Sequence, residues 1–310
     1  KIRFKMSFKK YIKAVGTGLK GNRDLEEAEV IDAIELILEN KVTQAQIGAF
    51  LIAWRTKLET DSELIAAVKA LKKYIKFTKI ENSLELGYSF DGRENNPFLF
   101  PLYENILKEF HEKNKDITPL NLVISGDFLQ PAKKGLTTKD IFNSIDKGQY
   151  VHYFDRIEYL RELSDLTKLR EELGLRTVFN TIEKLLNPAS SDFGVTAAFH
   201  KPYVKKYIAM FKEYYKDVLV LKGAEGSPEV FSNGKYWKEV DGQIIEIPFS
   251  LSDFGITYDK NYENISLEEA LEIVKNPNDE ILKLAKFNIA LYLVFAQRVD
   301  TLEDAWKRLN

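Results

Sequence analysis

The sequence predicts an α/β protein: a small helical domain at the N-terminus, then a larger domain with a mostly parallel sheet flanked by helices. Three observations carry this. The first 75 or so residues show helical periodicity only. From about residue 83, short apolar runs of strand length alternate with helical patterns, as a sheet with crossover helices requires. The 310 residues, 45% of them apolar, supply a sizeable core for one large domain or two ordinary ones.

Ser7 to Val15 reads as a basic helix that glycines bring to an end. Val30, Ala33, Ile34, Ile37 and Leu38 form one helical stripe, and Ile47, Phe50, Leu51 and Trp54 form the next. Asp24 with Glu27, Thr43 with Gln46 and Thr60 with Glu63 have capping-box spacing. Each of these helices needs a partner surface for its stripe. Further on, Leu120 to Ile124 and Val218 to Leu221 are strand-sized, while Leu102 to Glu112, Thr138 to Ile145 and Lys201 to Tyr215 are helical. Glu229 to Pro248 reads as an antiparallel excursion with turns at Ser232-Asn233-Gly234 and Asp241-Gly242. Ser266 with Glu269 opens a late helix, so Asn264-Ile265-Ser266 is read as a helix start and not as a glycosylation site. Ala285 to Ala296 is apolar enough to be buried.

Composition excludes several classes. Without cysteine there is no disulfide, no thiolate metal site and no cysteine nucleophile. His111, His152 and His200 lie far apart with no H-x-x-x-H pairing, so no zinc site is expected. The net charge of −2 within a 30% charged fraction rich in Lys and Glu suits a soluble cytoplasmic protein, and thermophile proteins share this balance. No run approaches the roughly 20 apolar residues of a membrane span. No signal-peptide pattern is read at the N-terminus.

Gly16-Thr17-Gly18-Leu19-Lys20-Gly21 satisfies G-x-G-x-x-G, but a dinucleotide loop follows a strand. Here a helix precedes it, so it is read as a flexible helix stop. Lys1, Arg3, Lys5, Lys9, Lys10, Lys13, Lys20 and Arg23 precede the first acid, Asp24. Lys201, Lys205 and Lys206, beside His200 and Tyr203, form a second basic cluster, and Lys133-Lys134-Gly135 a third. These residues are candidate contacts to nucleic-acid phosphates. The plain alternative is a set of solvated helix faces, and the net charge does not favour nucleic acid. Asp91-Gly92-Arg93-Glu94-Asn95-Asn96-Pro97 is a polar loop after a strand-like run, where α/β folds bind ligands. Arg93 could grip a phosphate or carboxylate there; alternatively Asn95 or Asn96 caps a helix. Glu225 and Glu229 in the glycine-rich stretch Gly223 to Glu229 could hold a cation, but a solvated turn is the favoured reading.

Leu169 to Ala189, LREELGLRTVFNTIEKLLNPA, resembles the R-x-E-L-G-x-R-T-x-F-N-x-x-x-P-L-x-N-P segment of the anthranilate phosphoribosyltransferase family. Asp24 to Ala28 with Gln44 to Trp54 is similar to that family's helical N-terminal domain, and Phe287 to Tyr292 to its C-terminal helix. The resemblance covers nearly the whole chain. It implies a helical dimerisation domain over 1–78 and an α/β domain over 79–310, with 151–189 packing partly on the helical side. It also implies a homodimer.

The departures concern the chemistry. Where the family has G-T-G-G-D followed by N-x-S-T, this chain has Gly87-Tyr88-Ser89-Phe90-Asp91-Gly92, then Pro97-Phe98-Leu99-Phe100. Bulky rings replace the glycines whose backbone could approach a diphosphate. K-H-G-N corresponds to Ile124-Ser125-Gly126-Asp127, where Asp127 is expected to repel a diphosphate. The metal-binding Asp-Glu pair aligns with Pro228-Glu229, and G-P-L with Glu183-Lys184-Leu185. Arg170 matches the arginine that contacts the aromatic acceptor acid. Tyr88 to Arg93, Gly223 to Gly226 and Gly21 to Leu25 are similar to motifs of a divergent branch of the family that binds nucleic acids.

The resemblance therefore implies a catalytically degenerate member that binds nucleic acid with little sequence preference and needs no cofactor. Lys9, Lys10, Lys13, Lys20, Arg23, Lys133, Lys134, Lys201, Lys205 and Lys206 would meet phosphates. Asp91, Gly92, Arg93, Asn95, Gly126, Arg170 and Glu225 would line a vestigial substrate pocket without a metal. The rival expectation is a working pentosyl- or phosphoribosyltransferase that uses phosphoribosyl diphosphate, magnesium and an anthranilate-like acceptor, as in tryptophan biosynthesis. An anion sensor or a protein-interaction module has no distinctive feature here.

Overall fold

The computed structural model describes the backbone of residues 2–310 and the side chains of residues 8–310; Lys1 and the side chains of Arg3 and Lys5 lie outside the described residues. Four helices open the chain: α1 (Ile2–Gly16), α2 (Glu27–Leu38), α3 (Gln44–Lys57) and α4 (Asp61–Lys72). The stripe residues of α2 and α3 are all buried. Thr43 with Gln46 and Thr60 with Glu63 form the expected capping boxes. Asp24 with Glu27 does not: α2 starts two residues later, on Glu26 with Glu29. The reason is a tether. Glu63 accepts the Leu25 amide at 2.8 Å and Asp24 pairs with Lys57 at 2.5 Å, which keeps this stretch out of the helix.

The remainder runs β1 (Ser83–Gly87), α5 (Phe100–Lys113), β2 (Asn121–Gly126), α6 (Thr138–Phe142), β3 (Val151–Asp155), α7 (Arg156–Tyr159), α8 (Arg161–Ser164), α9 (Thr167–Leu173), α10 (Val178–Ile182), β4 (Phe193–Ala197), α11 (Lys201–Phe211), β5 (Asp217–Leu221), β6 (Gly234–Val240), β7 (Gln243–Phe249), α12 (Leu267–Lys275), α13 (Asp279–Phe295) and α14 (Leu302–Leu309). α6 stops short of Ile145, and Ser144 folds its hydroxyl back onto the Asp140 carbonyl. The seven strands lie in the order β3-β2-β1-β4-β5-β6-β7. The first five are parallel, and β6 and β7 form an antiparallel hairpin on the edge. Asp241 and Gly242, both at positive φ, make the two-residue turn. Ser232 to Gly234 leads into β6 and does not join two strands.

Each face of the sheet buries its own core. On one side lie α1–α4 with α7–α11; on the other lie α5, α6 and α12–α14. The segment between β3 and β4 packs its Leu163, Leu169, Phe179 and Ile182 into the same core as Phe50 and Trp54 of α3. Ser266 caps α12, and α13 is buried along most of its length. After β1 the chain builds β2 and β3 on one side, then returns to place β4 on the other, so a crevice opens where the order reverses. Among the described residues no helix is long and apolar enough to cross a membrane.

Candidate functional site

A cleft of about 610 Å³ occupies that crevice, at the carboxyl ends of β1 and β4. The loop after β1 supplies Ser89 and Asp91, the end of β4 supplies Phe199 and His200, and the turn after β5 supplies Glu225 and Gly226. The opposite wall is helical: Arg55 from α3, Tyr203 and Tyr207 from α11, and Arg176 and Lys184 from either side of α10. Lys133 reaches in from the loop before α6.

Cations dominate this lining. Arg55, Lys133, Arg176 and Lys184 share the lining with two carboxylates, Asp91 and Glu225, and Arg55 also pairs with Glu59 at 3.5 Å. Glu225 is already engaged: it accepts the amides of Glu94 and Asn95 at 2.8 and 3.0 Å and the Asn96 side chain at 3.3 Å. Asp91 pairs with Arg176 and with the Ser89 hydroxyl. Arg176 is nonetheless 46% exposed. Lys184 is buried, its Nζ donating to the Ala197 carbonyl at 2.9 Å and lying 5.1 Å from the Tyr207 ring centroid. Burial pushes its pKa down to about 8.

Beneath the cleft the charges are closed on one another. Arg156 donates to Asp127 at 2.6 Å and also to Glu183, and Arg170 forks onto Glu183 at 2.7 and 2.9 Å. Ser164 completes the shell of Asp127 at 2.6 Å. All four ionised groups are buried, two cations against two anions. Burial alone would raise the pKa of Glu183, but Arg170 and Arg156 hold it below the usual carboxylate range. The Phe90 ring lies 4.4 Å from the Arg156 guanidinium. A second closed site surrounds Glu229. One oxygen accepts from Tyr88 (2.7 Å), Tyr103 (3.1 Å) and the amides of Leu99 and Phe100 (both 3.0 Å), and the other takes Arg93 at 2.5 Å.

These contacts correct several expectations. Arg93 is buried on Glu229, Ser227 and the Pro97 carbonyl, so it grips no ligand. Arg170 faces Glu183 and does not line the cleft. Asp127 is neutralised by Arg156, so it cannot act as a bare repelling charge. Glu229 belongs to no solvated turn. Gly126 is covered: a Cβ there would run into the Thr138 and Tyr153 hydroxyls. Gly92, at φ 85°, is likewise packed under the Lys134 carbonyl. Asn95 is exposed, and neither it nor Asn96 caps a helix, since α5 begins at Phe100 behind Leu99. Of the seven pocket residues expected, only Asp91 and Glu225 line the cleft.

The basic residues also divide. Arg23 is paired with Glu29, and Lys206 donates to the Glu59 carbonyl at 2.9 Å, so neither is a free surface cation. Lys10 lies over the Tyr11 ring, and Lys201 stands 3.8 Å from Glu246. Lys9, Lys13, Lys20, Lys134 and Lys205 are exposed and make no ion pair with a described residue. Gly16 ends α1, and Gly18 and Gly21 follow it, so the glycine-rich stretch comes after a helix and not a strand. His111 accepts the Leu120 amide, His152 meets Asn121, and among the described residues no cluster suits a metal ion. Sequence reasoning missed Arg55, Arg176, Lys184 and Phe199 as cleft residues. Arg176 stood inside the quoted R-T-x-F-N motif, and Arg55 directly follows Trp54.

Helical bundle, reversed sheet and cleft together define a glycosyl transferase architecture. Residues 9–74 match the helical bundle domain of a glycosyl transferase family, and residues 136–310 match its α/β domain. The chain belongs to this family, as an anthranilate phosphoribosyltransferase-like protein. An uncharacterised protein of Aquifex aeolicus is 33% identical over 285 residues, 89% of this chain and 88% of that protein. Anthranilate phosphoribosyltransferase of Saccharolobus islandicus is 22% identical over 304 residues, 92% of this chain and 86% of the enzyme. The enzyme structure from Thermus thermophilus shares the fold with a TM-score of 0.74 at 15% identity, covering 98% of this chain and 93% of that one. The Saccharomyces cerevisiae enzyme, described in complex with PRPP and Mg, gives the same score and identity over 98% and 92%.

Proposed function

We propose that this chain has given up phosphoribosyl transfer and uses the family scaffold to hold nucleic acid with little sequence preference. One observation carries the reading: Arg170 and Glu229, the groups that the resemblance assigns to acceptor and metal, are locked in buried ion pairs, whereas the cleft and its surroundings keep cations that face solvent. Magnesium, described with the yeast relative, does not fit the residues present. Both oxygens of Glu229 are taken, four donors on one and Arg93 on the other, and Pro228 precedes it where the family has a second carboxylate. Phosphoribosyl transfer breaks the bond between the ribose C1 and a diphosphate leaving group and depends on stabilising the charge of that group, so losing the metal ligands removes a term that drives transfer.

The surface supports a polyanion. Gly16, at the end of α1, abuts Ala53 of α3, where an added Cβ would lie 3.3 Å away. Arg55, two residues on, faces Tyr203 of α11. The end of α1, which carries Lys13 and leads to Lys20, packs on α3, while α11 with Lys205 packs on α4 and meets α3 through Tyr203 and Arg55. A homodimer through the helical domain would repeat the surface and raise avidity.

The test is fluorescence anisotropy of a labelled oligonucleotide across a salt series. Affinity falls with a slope of about 0.9 per phosphate contact on a log–log plot. Affinity that is flat from low to moderate salt, or absent at low salt, contradicts the reading. The open cleft favours the rival, an active transferase, over a merely structural role; saturable, magnesium-dependent binding of phosphoribosyl diphosphate would establish that rival instead.

A further inference from the structure

Phe199 follows β4 at the rim of the cleft and is 78% exposed. Single exposed apolar side chains are ordinary, but this one stands at the mouth of a cleft lined by cations. Its one ring neighbour is His200, edge-on at 4.9 Å, an arrangement that leaves a ring face open. The same cleft holds Lys184 with a single acceptor, the Ala197 carbonyl, and Arg176 with a single carboxylate, Asp91. Both cations therefore have N–H groups left over. A buried lysine and a half-exposed arginine in a cleft with a rim aromatic suit one chemistry well: a planar base joined to a phosphate. A phosphorylated sugar without a base leaves the ring unused. A duplex keeps its internal base faces stacked on one another and offers only the outer faces of its two end pairs.

We infer that the cleft admits one unpaired nucleotide of a single strand, with its base stacked on Phe199 and its phosphate over Lys184 and Arg176. The inference rests on the nucleic-acid reading and adds that the strand entering the cleft is single. The outer lysines Lys9, Lys13, Lys20 and Lys205 meet phosphates of either form, and the cleft tells the forms apart.

The experiment compares a labelled single-stranded oligodeoxynucleotide with the blunt duplex of the same sequence, at low salt, on the full chain. Phe199 is exposed, so Phe199→Ala leaves folding intact, which a thermal melt verifies. It weakens the single strand about tenfold and changes the duplex by less than about twofold. Phe199→Trp restores single-strand affinity, and its added indole emission is quenched by the strand and not by the duplex. Equal losses on both probes, no loss on either, or quenching by the duplex overturns the inference while leaving the nucleic-acid reading in place. If the parent protein binds neither probe, that reading falls, and the inference falls with it.

Discussion

The charges beneath the cleft and the charges inside it are built to opposite ends. Below, Arg156, Arg170, Asp127 and Glu183 meet one another at hydrogen-bond distance with no access to water, and Arg93 closes on Glu229 in the same way. Inside, Arg55, Lys133, Arg176 and Lys184 outnumber the carboxylates of the lining, Asp91 and Glu225. The lower set is closed and structural; under the proposed reading the upper set is the one that meets the ligand. A scaffold can turn a substrate-contacting arginine into a structural one simply by placing a glutamate opposite it, as Glu183 stands opposite Arg170.

The largest effect expected separates the two sets. Glu183→Ala leaves two buried guanidiniums with Asp127 alone, and should cost about 3–5 kcal/mol in urea unfolding. Arg176→Ala removes a half-exposed partner and leaves the buried Asp91 carboxylate with Ser89, and should cost less, about 1–2 kcal/mol. Similar losses in the two variants would erase the distinction. In binding the order inverts: Arg176→Ala weakens a single-stranded oligonucleotide about tenfold and lowers the salt slope by about one.

The pH dependence sharpens the same contrast through Lys184. Asp91 faces this amine and favours its charge, while Arg176 and Lys133 oppose it, and burial dominates. Its folded pKa of about 8 lies below the ordinary value near 10.5. Below pH 8 the ammonium attracts phosphate, and strand affinity should drop as pH rises through that value. Stability should move the other way. Between about 8 and 10.5 the unfolded chain binds the extra proton, so unfolding free energy rises with pH across that window. Lys184→Met should flatten both curves, whereas a pH-independent affinity in the parent would show that the amine does not touch the ligand. The smallest effect belongs to Lys206→Ala. That amine is held by the Glu59 carbonyl, so affinity should change by no more than about twofold, while Lys13→Ala and Lys20→Ala should each reduce it further.

Much of the fold was legible because its signals are local. The stripes of α2 and α3, the boxes at Thr43 and Thr60, the Asp241-Gly242 turn and the cap at Ser266 each lie within a few residues. The short helices α7–α10 are too brief to show a period, and β3 (VHYFD) and β4 (FGVTA) lack the continuous apolar run that marks β5. The site was less readable, since its meaning depends on partners far apart. Arg93 and Glu229 are 136 positions apart, and Arg176 and Asp91 are 85 apart. The sequence flags Arg93 and Arg170 as charged residues in a ligand-binding neighbourhood, and nothing local reveals that each is already closed on a carboxylate. Lys184 reads as an altered G-P-L element, and only the fold turns it toward a cavity.

Isothermal titration calorimetry of phosphoribosyl diphosphate with magnesium into the full chain tests most directly whether the family's substrate groups are locked away. The expected result is no saturable heat, from protein that still binds a single-stranded oligonucleotide at low salt. A saturating, magnesium-dependent isotherm with about one site per chain would contradict it.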